Sequence, residues 1–128
     1  MIQELRIGNC VYDVHNRVAN IVTIGNGTIR LSSKNYHYDS FNCSDIKPIP
    51  LTEDILLKCG FYECIGEDVN GYKKYINDDH LEFDVYLNNE NHCCVHYLEV
   101  AFSNHPQSLH SLQNAIFALT GEELNVEL

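Results

Sequence analysis

The chain has 128 residues, a net charge of −10 and 45% hydrophobic residues. This length suits one domain with one core, and the composition is that of a folded protein and not of a disordered chain. No segment approaches the eighteen or so apolar residues that a membrane helix needs, and the N-terminal residues lack the apolar core of a signal peptide. We therefore expect a single compact domain, residues 1–128, that remains in the cytoplasm and has no membrane partner.

The charge is distributed unevenly along the chain. Residues 1–51 contain five basic and four acidic side chains, whereas residues 52–128 contain three basic and fourteen acidic ones. Binding to nucleic acid or to an anionic membrane relies on Lys and Arg, so the acidic half argues against both partners. It is compatible with a basic protein partner, and also with acidity that serves solubility alone.

The six cysteines have no export signal ahead of them, and we expect free, reduced thiols for that reason. They are Cys10, Cys43, Cys59, Cys64, Cys93 and Cys94.

The first 51 residues read as short strands, because β-branched and aliphatic residues recur between Leu5 and Leu31. The sequence Asn26-Gly27 readily adopts the positive φ angles of a two-residue turn, so strands near 18–24 and 28–32 should pair antiparallel. A polar, aromatic loop at 34–40 and a short edge-like strand at 46–50 should follow. Residues 1–51 are thus predicted to form a small SH3-like β-barrel unit.

A short helix at 53–59 should open the second part. Thr52 is a suitable N-cap and Gly60 can take the left-handed position after the helix. Residues 61–101 then read as an antiparallel meander, with turns predicted at Asn70-Gly71, at 77–79 and at 88–91. The clearest strand is 81–87, in which odd-numbered residues should face the core and the even-numbered Glu82, Asp84 and Tyr86 should face water.

The last helix has the strongest pattern in the chain. Apolar residues recur at 109, 112, 116 and 119, Ser108 can cap the helix, and Gly121 can end it. A last short strand is predicted at 123–127. The fold class is therefore α+β: a barrel-like β subdomain at 1–51, followed by an acidic helix–meander–helix subdomain at 52–128 in which two helices pack with the meander.

Three segments carry a resemblance to a known group of proteins. They are residues 109–124 (LHSLQNAIFALTGEEL), 5–11 (LRIGNCV) and 49–61 (IPLTEDILLKCGF). These segments resemble small uncharacterised proteins of gut anaerobic bacteria and their phages, for which no activity is known. The resemblance implies one compact unit, a phage or mobile-element setting and the cytoplasm of a bacterial host.

The string His92-Cys93-Cys94-Val95-His96 is the first candidate for chemistry. On a strand, His92, Cys94 and His96 share a face and could offer three ligands to zinc. The alternative is that they are ordinary core or surface residues, because Cys94 and His96 share a side with Leu98 and Val100. No CxxC or HExxH element accompanies them to support a metal site.

A polar stripe on the last helix is the second candidate. His110, Gln113, Asn114 and Phe117 are three and four residues apart, and could contact a ligand or partner. Alternatively, their polar groups tie the helix to neighbouring backbone. The aromatic stretch Tyr36, His37 and Tyr38 could likewise line an interface or fill the end of the barrel.

The acidic residues of the second half are expected to be a solvated surface, and no phosphate loop or nucleophile motif occurs. The leading hypothesis is a non-enzymatic binding or inhibitory accessory protein that sequesters a host protein or a small regulatory ligand, without a cofactor. Two alternatives are a small metal-dependent enzyme that uses His92, Cys94 and His96, and a virion-associated structural protein that self-associates through strand edges.

Overall fold

The computed structural model describes residues 5–34, 36–65, 70–76, 81–87, 93–98, 100–102 and 105–127. In these residues the chain has nine β-strands in two antiparallel sheets and two α-helices, so the predicted α+β class is confirmed. It divides into two compact units, Met1–Pro50 with Ser108–Asn114 and Leu51–Gln107 with Ala115–Leu128. That residues 1–128 act as a single domain stays a prediction.

The first unit contains a four-stranded sheet in the order β1-β2-β3-β4. The strands are β1 (Cys10–Tyr12), β2 (Val18–Gly25), β3 (Thr28–Ser33) and β4 (Tyr36–Asn42). Between β2 and β3, Asn26 and Gly27 have φ angles of 35° and 78°, which is the positive-φ turn that their sequence predicts. The predicted hairpin is confirmed. The polar loop predicted at 34–40 is wrong for its larger part, because the chain enters β4 at Tyr36.

The core of the first unit consists of side chains from three of its strands and from the segment after β4. They are Val11, Ala19, Ile21, Ile29, Leu31 and Ile46, with Leu5, Phe41 and Cys43 packed against them. A single 3₁₀ turn at Cys43–Asp45 follows β4, and Lys47 then pairs with Tyr12 of β1.

The predicted strand at 46–50 is not formed; isolated bridges at Lys47 and Pro50 take its place. Pro48 and Pro50 have no N–H to donate to a ladder, which limits pairing there. Within the described residues no pairing joins β4 to β1, so a closed barrel is not found.

Helix α1 (Glu53–Lys58) opens the second unit as predicted. The Thr52 side chain accepts a hydrogen bond from the Ile55 amide over 3.4 Å, and Gly60 follows the helix with a φ of 86°. Ile55 and Leu56 are buried, which fixes the inward face of this short helix.

The second unit contains a five-stranded antiparallel meander in the order β5-β6-β7-β8-β9. The strands are β5 (Tyr62–Ile65), β6 (Asn70–Ile76), β7 (Leu81–Leu87), β8 (Cys93–Tyr97) and β9 (Val100–Ala101). The turn predicted at Asn70-Gly71 is wrong, because both residues lie in β6 and pair with β5. The turns predicted at 77–79 and 88–91 lie outside the described residues.

One face of this sheet is buried and is termed the inner face. Its buried side chains are Tyr72, Phe83, Val85, Cys93 and Val95, and the ring of Phe83 stacks on that of Tyr97 with centroids 4.5 Å apart.

The edge of β8 beyond the short strand β9 is covered by side chains. Gln107 accepts from the Cys93 amide and donates to the Cys93 carbonyl, while His105 accepts from the Val95 amide. These contacts satisfy edge groups that would otherwise be open to another strand.

Helix α2 (Leu109–Thr120) has the predicted position and ends at Gly121, whose φ is 73°. The strand predicted at 123–127 is wrong: the described residues there are irregular, with one backbone bond from the Glu127 amide to the Lys58 carbonyl. Neither helix of the described chain has the length and apolarity needed to cross a membrane.

Candidate functional site: the outer face of the second sheet

The face of the meander opposite the buried one carries a row of polar side chains. Tyr62 pairs with Lys73, Lys73 with Asp84, and Asp84 with His96, so the four side chains lie side by side across four strands. We call this surface the outer face and define it by Tyr62, Cys64, Gly71, Lys73, Tyr75, Glu82, Asp84, Tyr86, Cys94 and His96.

Asp84 lies at the centre of the outer face, on the middle strand of the sheet. Only 6% of the residue is exposed, because its neighbours across the strands and along β7 cover it. Its Oδ1 atom is 3.6 Å from Lys73 Nζ, and no described residue donates a hydrogen bond to it. A buried carboxylate oxygen without a donor is rare in folded proteins.

Lys73 is held mainly by the other acid of this face. Its Nζ donates to Glu82 Oε1 over 2.6 Å, and this bond raises the pKa of Lys73 and lowers that of Glu82. Burial raises the pKa of Asp84, and the nearby charge of Glu82 raises it further, against a smaller opposing effect of Lys73. The ammonium is therefore committed to Glu82 more than to Asp84.

Two tyrosines lie on the part of the outer face that β5 and β6 form. The rings of Tyr62 and Tyr75 stack with centroids 6.3 Å apart, and the residues are 47% and 39% exposed. The Tyr75 hydroxyl lies 3.4 Å from Glu82 Oε1. Hydrogen bonding to Tyr62, followed by the charge of Glu82, raises the pKa of Tyr75 to about 12. Both residues offer an apolar ring and a hydroxyl to a partner.

A third tyrosine, Tyr86, lies on the opposite side of Asp84 from Glu82 and Tyr75. The ring of Tyr86 lies over Gly71, where an added Cβ would be 3.1 Å from Tyr86 Cε1. Tyr86 also meets the His96 ring edge-on at 5.4 Å, and His96 stacks on His105 at 6.4 Å. Gly71 thus makes room for the tyrosine, which explains a glycine inside a strand.

The predicted metal site is placed only in part. Cys94 is exposed and His96 is half-buried on the outer face, while His92 lies outside the described residues. The alternative allowed core or surface residues, and the structure places Cys94 and His96 outside the apolar core, since Cys93 and Val95 are the residues of β8 that are buried. Among the described residues, no three His, Cys, Asp or Glu side chains converge to hold a metal.

The stripe predicted on α2 is brought together with β1 through side-chain amides. Gln113 is buried; its Oε1 accepts from the Cys10 amide over 2.9 Å. Asn114 Oδ1 accepts from Asn9 Nδ2 over 2.8 Å and from Arg6 Nε over 3.0 Å. These bonds match the alternative in which the polar groups anchor the helix to neighbouring chain.

The other two residues of that stripe differ in their surroundings. His110 is buried with its Nδ1 3.2 Å from Ser108 Oγ, whereas Phe117 is exposed. Tyr36, His37 and Tyr38 lie on β4, and their side chains are outside the described part of the structure. A role of these residues in partner contact stays a prediction.

The outer face contains a residue that the sequence pattern misplaces. Alternation along β7 correctly directs Asp84 away from the inner face, but the expectation that it is solvated is wrong. Its burial depends on Lys73 and His96 being its cross-strand neighbours, which only the register provides. A lysine and a histidine on adjacent predicted strands were the available signal.

The cysteines are free thiols as predicted. Burial raises the pKa of both Cys10 and Cys93 to about 11, so these two are unreactive at physiological pH. Cys94, on the outer face, is the exposed cysteine.

The geometry of the outer face therefore suits recognition: a buried carboxylate at the centre, aromatic rings on two sides and a rigid sheet beneath. In comparisons with known proteins, the chain matches no family model, no curated protein and no solved structure.

Proposed function

We propose that this chain is a non-enzymatic binding protein and that the outer face is its binding surface. It acts by occupying a host protein or a small regulatory ligand in a bacterial cytoplasm. The sequence resemblance supports a phage or mobile-element origin. The observation that carries the proposal is Asp84, a carboxylate at the centre of the outer face whose Oδ1 atom receives no hydrogen bond from the described residues.

The unpaired Oδ1 atom of Asp84 lowers the stability of the free protein. Leaving one buried acceptor without a donor costs about 1–3 kcal/mol, and native proteins retain few such groups. A partner that donates to Asp84 recovers part of this free energy on binding. Asp84 belongs to a sheet whose other face is buried, so the backbone that carries it is held in place before a partner arrives.

The aromatic groups support the same conclusion. Tyrosine is enriched at protein interfaces because it offers a large apolar ring and a hydroxyl at a small cost in conformational entropy. Tyr62 and Tyr75 form an exposed pair next to the charged row. An open sheet surface of this kind favours binding over catalysis, since catalytic groups work best where water is excluded.

We also propose that the first unit is a small SH3-like barrel in which β1 to β4 curl. Two observations support this. The strands form a simple meander, and after the 3₁₀ turn Lys47 returns to pair with Tyr12 on the free edge of β1. A return of the chain to the first strand is what a small barrel needs to approach closure.

Site-specific photo-crosslinking tests the binding surface. A photoreactive phenylalanine derivative replaces Tyr75 on the outer face, and in a matched variant it replaces Ile24 on β2, which is at least as exposed. Both variants are produced in a gut anaerobic host and irradiated in the cell. We expect a defined covalent adduct from the Tyr75 position and none from the Ile24 position.

Native mass spectrometry of the gently purified protein covers a small ligand. A ligand on the outer face gives a discrete extra mass that disappears in a Tyr62→Ala/Tyr75→Ala variant. The proposal fails if the Tyr75 position gives no adduct beyond that of Ile24 and the protein also carries no extra mass that depends on the two tyrosines.

A further inference from the structure

The charges of the outer face do not balance. Lys73 lies between two carboxylates, 2.6 Å from Glu82 Oε1 and 3.6 Å from Asp84 Oδ1. One ammonium therefore serves two acids, and the shorter contact assigns it to Glu82. The described residues of this face thus leave one negative charge, on Asp84, for a partner to compensate.

We propose that the occupant of the outer face is the guanidinium group of an arginine side chain, supplied by a basic partner protein. This rests on the proposed function and names the chemistry of the partner for the same surface.

A guanidinium can supply the hydrogen-bond donor that Asp84 lacks. A guanidinium presents five N–H groups in a rigid plane, and it pairs with a carboxylate through charge-assisted bonds. Asp84 Oδ1 is an acceptor that receives nothing from the described side chains. A neutral partner would leave the charge of Asp84 uncompensated, and an anionic one would be repelled by Asp84 and Glu82.

The tyrosine rings around Asp84 also suit a guanidinium. Guanidinium is weakly hydrated and stacks flat on aromatic faces, whereas the ammonium of lysine is compact and strongly hydrated. Tyr62 and Tyr75 offer parallel rings next to Lys73, and Tyr86 lies on the far side of Asp84. Such surroundings favour arginine over lysine.

A partner group must be able to reach Asp84. Asp84 is covered by side chains, chiefly those of its cross-strand neighbours Lys73 and His96. The side chain of Lys73 is one-third exposed and is anchored to Glu82 at its tip. In the proposed complex the flexible stem of Lys73 swings aside and uncovers Asp84 while its ammonium stays bound to Glu82. The guanidinium then takes the position beside Asp84 that the ammonium now shares.

The charge of the second half of the chain indicates that a basic protein supplies the guanidinium. Residues 52–128 carry fourteen acidic and three basic side chains. Such a field attracts a basic protein surface and speeds its association, especially at low ionic strength. Free arginine has the same side chain and the same net charge, but it lacks the flanking peptide groups through which a protein chain also contacts the outer face.

Titration of the full-length protein, followed by two-dimensional NMR of the backbone amides, tests the inference. The probes are the peptide acetyl-Gly-Arg-Gly-amide, its citrulline and lysine counterparts, and free arginine. We expect the arginine peptide to bind with a roughly millimolar Kd and to shift the amides of Lys73, Asp84 and His96. We expect the citrulline peptide to bind at least about tenfold more weakly, because citrulline has the same shape without the charge.

Two variants make the assignment specific. Asp84→Asn keeps the shape of the side chain and should weaken binding of the arginine peptide at least about tenfold. Asp45→Asn removes the same charge from the exposed 3₁₀ turn of the other sheet and should leave binding unchanged. A folded Asp84→Asn spectrum excludes unfolding as the cause.

Several results would overturn the inference: equal binding of the arginine and citrulline peptides, an unchanged Kd in Asp84→Asn, or amide shifts away from β6, β7 and β8. Binding of free arginine as tight as that of the peptide would overturn the protein source. A non-basic partner crosslinked at Tyr75 would refute the guanidinium while the proposed function stands. Arginine binding without any adduct or ligand in the cell would refute the proposed function, and with it a partner protein as the source, while the binding of guanidinium at Asp84 stands.

Discussion

The ammonium of Lys74 donates a hydrogen bond to the backbone carbonyl of Cys59 over 2.8 Å, at the end of helix α1. The last carbonyls of a helix lack partners within it and carry the negative end of its dipole, so a lysine placed there stabilises the helix. The contact passes directly over Gly60, whose φ of 86° and missing side chain both permit it. A helix of six residues is thereby held by its cap at each end.

Replacing Gly60 with alanine should destabilise the protein more than replacing Gly121. Both glycines have a positive φ, which costs an alanine about 1 kcal/mol. A Cβ on Gly60 also collides with Lys74 Nζ, whereas a Cβ on Gly121 meets open space. We expect losses of about 2 kcal/mol for Gly60→Ala and about 1 kcal/mol for Gly121→Ala.

Urea unfolding of the two variants measures this difference. Adding Lys74→Met to Gly60→Ala should cost less than the sum of the two single changes, because the clash and the lost bond involve the same ammonium. Equal losses for both glycine variants would show that the ammonium adjusts without cost.

Two glutamines make the same kind of bond in different surroundings. Gln113 accepts from the buried amide of Cys10, and Gln107 accepts from the part-buried amide of Cys93. Gln113→Leu leaves the buried N–H of Cys10 without an acceptor and without water, so it should cost about 1–3 kcal/mol. Gln107→Leu should cost less, because water reaches the exposed side chain it replaces.

Thermal and urea unfolding of the two leucine variants test this. The outcome also decides between the two interpretations of the stripe on α2. If Gln113→Leu is as stable as the unmodified protein, the amide has no anchoring role and contact with a partner becomes its better explanation.

The features that the sequence predicts correctly depend on a few neighbouring residues. Thr52 caps α1, Gly60 ends it, and Asn26-Gly27 turns the chain between β2 and β3. Each of these positions needs a particular φ angle or side-chain oxygen, and few residue types provide it. Such signals do not depend on the rest of the fold.

The features that the sequence misplaces depend on pairing between distant segments. Asn70-Gly71 has the composition of a turn, yet Gly71 pairs with both neighbouring strands, and the ring of Tyr86 fills the space that a side chain there would need. Asp84 alternates as a solvent-facing residue, yet Lys73 and His96 cover it. Neither contact can be derived before the register of β6, β7 and β8 is known.

The pKa of Asp84 predicts a pH dependence of stability. Burial raises this pKa above its ordinary value of 3.8, so the folded chain holds the proton more tightly than the unfolded chain. The stabilisation is complete below pH 3.8 and is lost as the pH rises through the folded pKa. At pH 7 the ionised carboxylate therefore lowers the free energy of unfolding.

Asp84→Asn should consequently be more stable than the unmodified protein at pH 7, with the difference shrinking towards pH 3. Urea unfolding across this range measures it, and Asp45→Asn on the exposed 3₁₀ turn is the control. A stability cost retained at one buried residue is typical of a functional site. Greater stability of the unmodified protein at pH 7 would instead mean that attraction to Lys73 outweighs burial.

Cys93 and Cys94 are adjacent in the chain and face opposite sides of β8. Cys93 is buried on the inner face with its pKa raised to about 11, while Cys94 is exposed on the outer face. Because the thiolate is the reactive form, Cys94 should react with iodoacetamide at pH 8 at least about tenfold faster than Cys93. Tandem mass spectrometry after a short pulse distinguishes the two positions, and Cys10, which is also buried, serves as an internal control.

A one-residue shift of register would exchange the two faces of β8, bringing Cys93 outward and removing His96 from the side of Asp84. Faster labelling of Cys93 would therefore contradict the outer face itself, and the binding surface built on it.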